Sequence, residues 1–221
     1  MLFSDGGSGR ALGLAEELGG QVASNEEIAR RSDLVVLAVK PGTLDQVAPQ
    51  LGEAKEVVSV LAVTPLERLK AALPNAGHLL RAMPNVGVEV RQGVLCIAGS
   101  ASEEARAKLE LLGHVVEIED GDFDGATAVM GCAPAYLALA VEALADAGAA
   151  AGLDPELARE LVVETTAGTA ELLRRRHPAD VREAVTSPGG STEAGLEALD
   201  REGARDAFEA AVEASLERMR G

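Results

Sequence analysis

Six consecutive apolar residues, Leu34-Val35-Val36-Leu37-Ala38-Val39, constrain this chain more than any other stretch. A run of that length with no polar position predicts a strand buried on both faces of a parallel sheet. It stops at Lys40-Pro41, which places a carboxyl edge there, and ligands of open α/β sheets sit at such edges. Residues 56–61 are expected to form another buried strand. Further strands are expected over 1–4, 21–24, 79–85 (running into a turn), 93–98 and 115–118. Between them the spacing predicts helices over 11–18, 25–30 (capped by Asn25 or Ser24), 43–51 and 102–112. A further helix opens at Thr64-Pro65-Leu66-Glu67, with Pro at its first position. Strand and helix alternate throughout, which predicts an α/β doubly wound, mostly parallel sheet.

The pattern changes after Asp124. Helical spacing runs over 123–130, 134–151, 155–175, 179–185, 192–200 and 204–220, with Pro155 and Pro178 at helix starts and Gly152 and Gly203 at ends. Two domains follow, 1–120 as an α/β unit and 121–221 as an all-α one. Aromatic residues make up 2% of the chain and there is no Trp, so Ala, Val and Leu must build the core. Small faces such as Ala143, Ala147 and Ala150 allow close helix approach, either within the chain or against a partner subunit.

Several function classes are disfavoured. The 36 acidic residues outnumber the 20 basic ones, giving a net charge of −16, a poor match to nucleic acid or an anionic membrane. Cys96 and Cys132 lie far apart without ligand spacing and read as small buried residues of a reducing cytoplasm. His78, His114 and His177 are scattered, so no metal site is expected. Asp120-Gly121-Asp122-Phe123-Asp124-Gly125 imitates half a calcium loop, but its twelfth position is Gly131 rather than the glutamate such a loop needs. No apolar run is expected to reach the ~20 residues that span a bilayer, and Met1-Leu2-Phe3-Ser4-Asp5 lacks the basic start of a signal peptide. Gly7-x-Gly9 suggests a dinucleotide fingerprint, but its third glycine position falls on Leu12; a simple βα turn is the competing reading.

The chemistry-bearing stretch is Thr186-Ser187-Pro188-Gly189-Gly190-Ser191-Thr192. Pro188 fixes its own φ, and the two glycines let a ligand approach the backbone. Ser191 or Thr192 is suited to cap a helix over 193–199. The unpaired amides of a helix start suit a carboxylate or phosphate. An ordinary capped turn is the plainer alternative.

The run from His177-Pro178 through Glu183-Ala184-Val185 and residues 186–192 to Gly195-Leu196 and Leu199 resembles the pyrroline-5-carboxylate reductase family. Leu37-Ala38-Val39-Lys40-Pro41, Arg81-Ala82-Met83-Pro84-Asn85 and Pro134-Ala135-Tyr136 resemble it too. The likeness covers the whole chain. It implies a Rossmann-like sheet lacking its first βα unit, which the family carries upstream of the position of Met1, followed by an all-α dimerisation domain. It also implies reduction of 1-pyrroline-5-carboxylate to L-proline by NADP or NAD, with NADPH favoured, in the cytoplasm. The partner implied is a second copy through the C-terminal helices, with larger assemblies open, and neither nucleic acid nor membrane. On the cofactor side it implies Ser4, Arg10, Asn25, Ala38, Val39, Lys40, Pro41, Leu61, Ala62, Met83, Pro84 and Asn85. Arg10 suits a 2′-phosphate, whereas Asp5 suits a free ribose hydroxyl. On the substrate side it implies Asp120, Ser187, Gly189, Gly190, Ser191 and Thr192, with Thr192 the catalytic contact. Three departures stand out. Val63 replaces a family glycine, Val86-Gly87 replaces Thr-Pro, and Met130-Gly131-Cys132-Ala133 replaces Ser-Gly-Ser-Gly. They keep a second reading open, a non-catalytic relative that binds proline-like carboxylates or serves as an oligomeric scaffold.

Overall fold

The computed structural model describes residues 1–220, which fall into two compact units, Met1–Gly131 and a second from Cys132 onward. In the first unit, β1 (Leu2–Phe3) runs parallel to β2 (Gln21–Val22), joined by α1 (Arg10–Leu18). A separate five-stranded sheet has the order β3 (Val35–Leu37), β4 (Glu56–Ser59), β5 (His78–Pro84), β6 (Gly93–Gly99), β7 (Gly113–Glu117). Its pairs are parallel except β5 with β6, which is antiparallel. The expected doubly wound, mostly parallel sheet is therefore present.

Adjacent residues of a strand point to opposite faces, and the two cores follow that rule. Val57 joins Leu37, Leu44, Leu51, Leu61 and Leu69 on one face, under α2 (Asn25–Arg31), α3 (Leu44–Val47) and α4 (Leu66–Ala72). Val58 joins Leu80, Leu95, Ile97 and Leu109 on the other, where α5 (Glu103–Glu110) packs. Burial pushes the Cys96 thiol pKa up, as suits an inert core residue.

Two expectations are corrected, and one open choice of cap is settled. The run over 34–39 is not buried on both faces. Val36 is 59% exposed, because β3 is an edge of its sheet and the packing around Leu109 does not reach over it. Pro65 is not the first residue of α4 but its extended N-cap, with ψ at 153°. Ser24, and not Asn25, caps α2, its hydroxyl accepting from the Glu27 amide.

In the second unit, α7 (Ala133–Ala150) and α8 (Pro155–Leu173) pack through small residues. A methyl built on Gly148 would lie 3.3 Å from the Ala158 methyl. Then come α9 (Pro178–Ala184), α10 (Ser191–Arg201) and α11 (Ala204–Arg220). Asp154 caps α8 and His177 caps α9. The Tyr136 hydroxyl ties α7 to α11, 2.6 Å from the Ser215 hydroxyl. Among the described residues of this unit only Ala158 is buried, while Leu137, Leu139, Leu144 and Leu161 are about half exposed or more.

The expectation of no membrane-length apolar run is also corrected. The continuous helical stretch Asp120–Ala150, which includes α6 (Phe123–Ala126), is long and apolar enough to cross a bilayer by length and composition alone. Its uncharged run extends from Gly125 to Val141 and is rich in Ala.

Candidate functional site

The first unit gathers most of the expected cofactor-side residues at the carboxyl ends of β3, β4 and β5. After β3, Ala38 and Lys40 are exposed and Val39 half-buried. The chain then turns through Pro41, where the Lys40 carbonyl accepts from both the amide and the hydroxyl of Thr43. After β4, Leu61 is buried but Ala62 and Val63 face solvent. After β5, half-buried Asn85 is fully engaged. Its amide nitrogen donates to the Met130 carbonyl at 3.1 Å, and its oxygen accepts from the amides of Gly87 and Val94. Asn85 thus fixes Met83 and Pro84 against the π-helical turn Thr127–Gly131. π-turns are frequent at functional sites.

Ser4 and Arg10 lie at the β1–α1 turn, both exposed. Asp5 does not point outward for a ribose. Its carboxylate accepts from the Gly7 amide at 2.7 Å and the Ala11 amide at 2.8 Å, and from the Ser8 hydroxyl. The Ala11 bond, then the Gly7 bond, holds the Asp5 pKa below the ordinary carboxylate value. Arg10 has no ion pair among the described residues. Asn25, expected beside the ribose, donates to the Gln50 side chain at 2.8 Å.

Asp120 is placed where it can do something the sequence did not reveal. One carboxylate oxygen accepts from the Arg81 guanidinium at 2.8 Å, and the other accepts from the Leu66 amide at 3.0 Å. Arg81 is almost wholly buried in β5, and its guanidinium lies 4.0 Å above the Phe123 ring. Its Nε is buried with no acceptor among the described residues. A signal was available: an arginine inside an otherwise apolar strand must find a counter-charge. The partner, 39 residues away, carried no local mark. Arg81 and Asp120, with Val63, Pro65, Gly121 and Asp124, line a pocket of about 250 Å³.

The loop expected to receive an anion, residues 186–192, lies in the second unit. Gly189 is left-handed, with φ at 74°, which explains glycine there. The N-cap of α10 is Gly190, not Ser191 or Thr192 as expected, so the helix starts at Ser191. A methyl at Gly190 would meet the Ser187 carbonyl oxygen at 2.9 Å and its hydroxyl at 2.5 Å. Two of the loop's amides are already used. Gly190 donates to the Ser187 carbonyl at 2.9 Å, and Gly189 donates to the Glu193 carboxylate at 2.6 Å. The expectation that the Gly190 amide holds a ligand is corrected accordingly. The amides of Ser191 and Thr192, in the first helical turn, have no intrahelical acceptor. Both side chains are exposed.

The chain matches two protein families: pyrroline-5-carboxylate reductase dimerisation over residues 120–221, and NADP oxidoreductase, coenzyme F420-dependent, over residues 2–63. It is 41% identical over 205 residues to the pyrroline-5-carboxylate reductase of Synechocystis sp., covering 88% of this chain and 76% of that protein. It is 37% identical over 219 residues to the Thermus thermophilus protein of that name, covering 95% and 82%. The crystal structure of 1-pyrroline-5-carboxylate reductase from Streptococcus pyogenes superposes with a TM-score of 0.87 at 31% identity, covering 99% of this chain and 88% of that one. A Plasmodium falciparum pyrroline carboxylate reductase structure with NADP bound superposes with a TM-score of 0.79 at 30% identity, covering 90% and 80%.

Proposed function

The chain belongs to the pyrroline-5-carboxylate reductase family, and from that premise we infer that it reduces 1-pyrroline-5-carboxylate to L-proline with a nicotinamide dinucleotide. The observation that carries the residue-level reading is the glycine-built start of α10, whose first amides lack an intrahelical acceptor. The Synechocystis, Thermus and Streptococcus relatives are all named as reductases, which leaves the binding-only and scaffold readings without support.

The residues present fit a dinucleotide. Ala38 and Ala62 are small and exposed at strand ends, so the backbone there is approachable. Met83 and Pro84 are held in place by the Asn85 bonds. When bound, the dinucleotide supplies the hydride. Ala38, Val39, Lys40, Pro41, Leu61, Ala62, Met83, Pro84 and Asn85 would hold its nicotinamide side, and Ser4, Arg10 and Asn25 its adenosine side. NADPH is the favoured form. Arg10 is exposed and without an ion pair among the described residues, while the Asp5 carboxylate is bonded into its own loop. A guanidinium in that state suits a 2′-phosphate.

The substrate carboxylate belongs at the amides of Ser191 and Thr192, where the positive end of α10 favours an anion. Ser187, Gly189 and Gly190 shape that loop. The Thr192 hydroxyl would hydrogen-bond the ring nitrogen as charge changes there. A hydroxyl holds its proton far above neutral pH, so Thr192 orients the imine, and the proton that completes the ring N–H is already on the imine nitrogen or comes from water. Self-association covers the apolar faces of α7 and α8, consistent with the dimerisation family matched over 120–221.

The test is an assay of NADPH and NADH oxidation with pyrroline-5-carboxylate. Turnover that requires both partners supports the reading, and none with either dinucleotide rejects it. Replacing Arg10 by Ala should raise the KM for NADPH about tenfold and leave that for NADH within about twofold, since each lost charge-assisted contact is worth ~1.4 kcal/mol or more. Equal effects on the two would remove Arg10 from phosphate binding.

A further inference from the structure

Val63 carries a positive φ of 52°, a conformation in which a β-branched side chain is strained. Such strain persists only where the surroundings over-determine it. The turn around Val63 is pinned on both sides. Upstream, the Leu61 amide reaches the Ser59 hydroxyl at 3.4 Å. Across the turn, the buried Thr64 hydroxyl donates to the Ala62 carbonyl at 3.0 Å. Downstream, the Leu66 amide is held by Asp120, and Asp120 is held by buried Arg81 stacked on Phe123. Val63 is 53% exposed beside these groups and lines the same pocket as Arg81 and Asp120. Its turn ends a parallel strand, the place where α/β sheets receive their ligands.

We propose that Asp120 and Arg81 are positioning residues, a two-part clamp that forces the turn after β4 into a left-handed Val63 and so sets how the nicotinamide end of the dinucleotide is received. This inference rests on the reductase reading for its ligand, but the clamp itself rests on geometry alone. Asp120 is well suited to the task. Its carboxylate satisfies the start of α4 with one oxygen and neutralises a buried cation with the other, so the turn cannot relax without exposing both. With a glycine at position 63 the left-handed conformation would carry no strain, and the turn would keep its shape without the clamp.

The test is a double-mutant cycle on the full chain with Asp120→Asn and Val63→Gly, read by steady-state kinetics and by thermal melting. With Val63 unaltered, Asp120→Asn should raise the KM for NADPH about tenfold while kcat falls less than threefold. In the Val63→Gly background the same change should move that KM less than twofold, and the drop in melting temperature should also be smaller. Equal effects of Asp120→Asn in both backgrounds would overturn the clamp. A rise confined to the KM of pyrroline-5-carboxylate in both backgrounds would instead make Asp120 a substrate contact and also overturn it. If Asp120→Asn does not fold, rescue of folding by Val63→Gly supports the proposal, and failure in both backgrounds refutes it. Should the unaltered protein show no turnover, the reductase reading fails by itself. The melting cycle and NADPH binding by fluorescence then still decide the clamp.

Discussion

A methyl group at position 190 would stand 2.9 Å from the Ser187 carbonyl oxygen, so Gly190→Ala cannot keep the loop before α10 as it is. The Ser191 and Thr192 amides would turn with it. The expected result is a KM for pyrroline-5-carboxylate raised tenfold or more, about 1.4 kcal/mol, with dinucleotide binding unchanged. Kinetics with each partner varied in turn checks this. Position 63 has the opposite sign. Val63→Gly removes left-handed strain and returns some of it as backbone entropy, for a net stabilisation of roughly 0.5–1 kcal/mol in denaturant unfolding. These two positions differ in legibility. Gly189 and Gly190 announced a special loop by their identity. Val63 stood out only against the family pattern, and its φ of 52° could not be read from a valine.

At the scale of elements, helix ends explain most of what the sequence concealed. Periodicity located the helices, but the N-caps Pro65 and Gly190 lie apart from the expected ones, because dihedral angles rather than side-chain capping propensity set them. The cap of α5 has a buried reinforcement. Ser102 accepts from the Ala105 amide, while its own amide and hydroxyl both donate at 2.7 Å to the carboxylate of Glu56, which is buried on β4. Glu56→Ala would strand those donors and should cost about 2–3 kcal/mol by chemical denaturation, against ~1 kcal/mol for Ser102→Ala. The loop before α1 is sensitive to acid. Its Asp5 pKa is lowered in the folded chain, so the bonds to Gly7 and Ala11 contribute fully above the ordinary value of 3.8 and fade as pH falls through the lower folded value. Amide hydrogen exchange at Gly7 and Ala11 should therefore lose its protection below that pH and keep it above.

For the molecule as a whole, hydrophobic spacing switches from strand-like runs to helical periods near Asp124, which put the expected boundary after residue 120, whereas the compact units divide after Gly131. The bare face at Val36 was not readable, since a run of six apolar residues reads the same at a sheet edge as at its centre. Nor was the Asp120–Arg81 pair, whose members are joined only by folding. The helical unit poses a larger question of scale. Leu137, Leu139 and Leu144 of α7 are each about 60% exposed, and Ala158 alone is buried among the described residues of that unit. Leu144→Glu should convert dimers to monomers in sedimentation velocity and lower the melting temperature by several degrees. Retention of the dimer would move the contact to another face.

If a second copy covers those leucines, as proposed, the helical unit draws part of its stability from association. Its unfolding should follow mass action, so tenfold dilution ought to shift the transition to lower temperature, as it does for any fold completed by association. Whether the chain is folded then becomes partly a question of how much of it has been made.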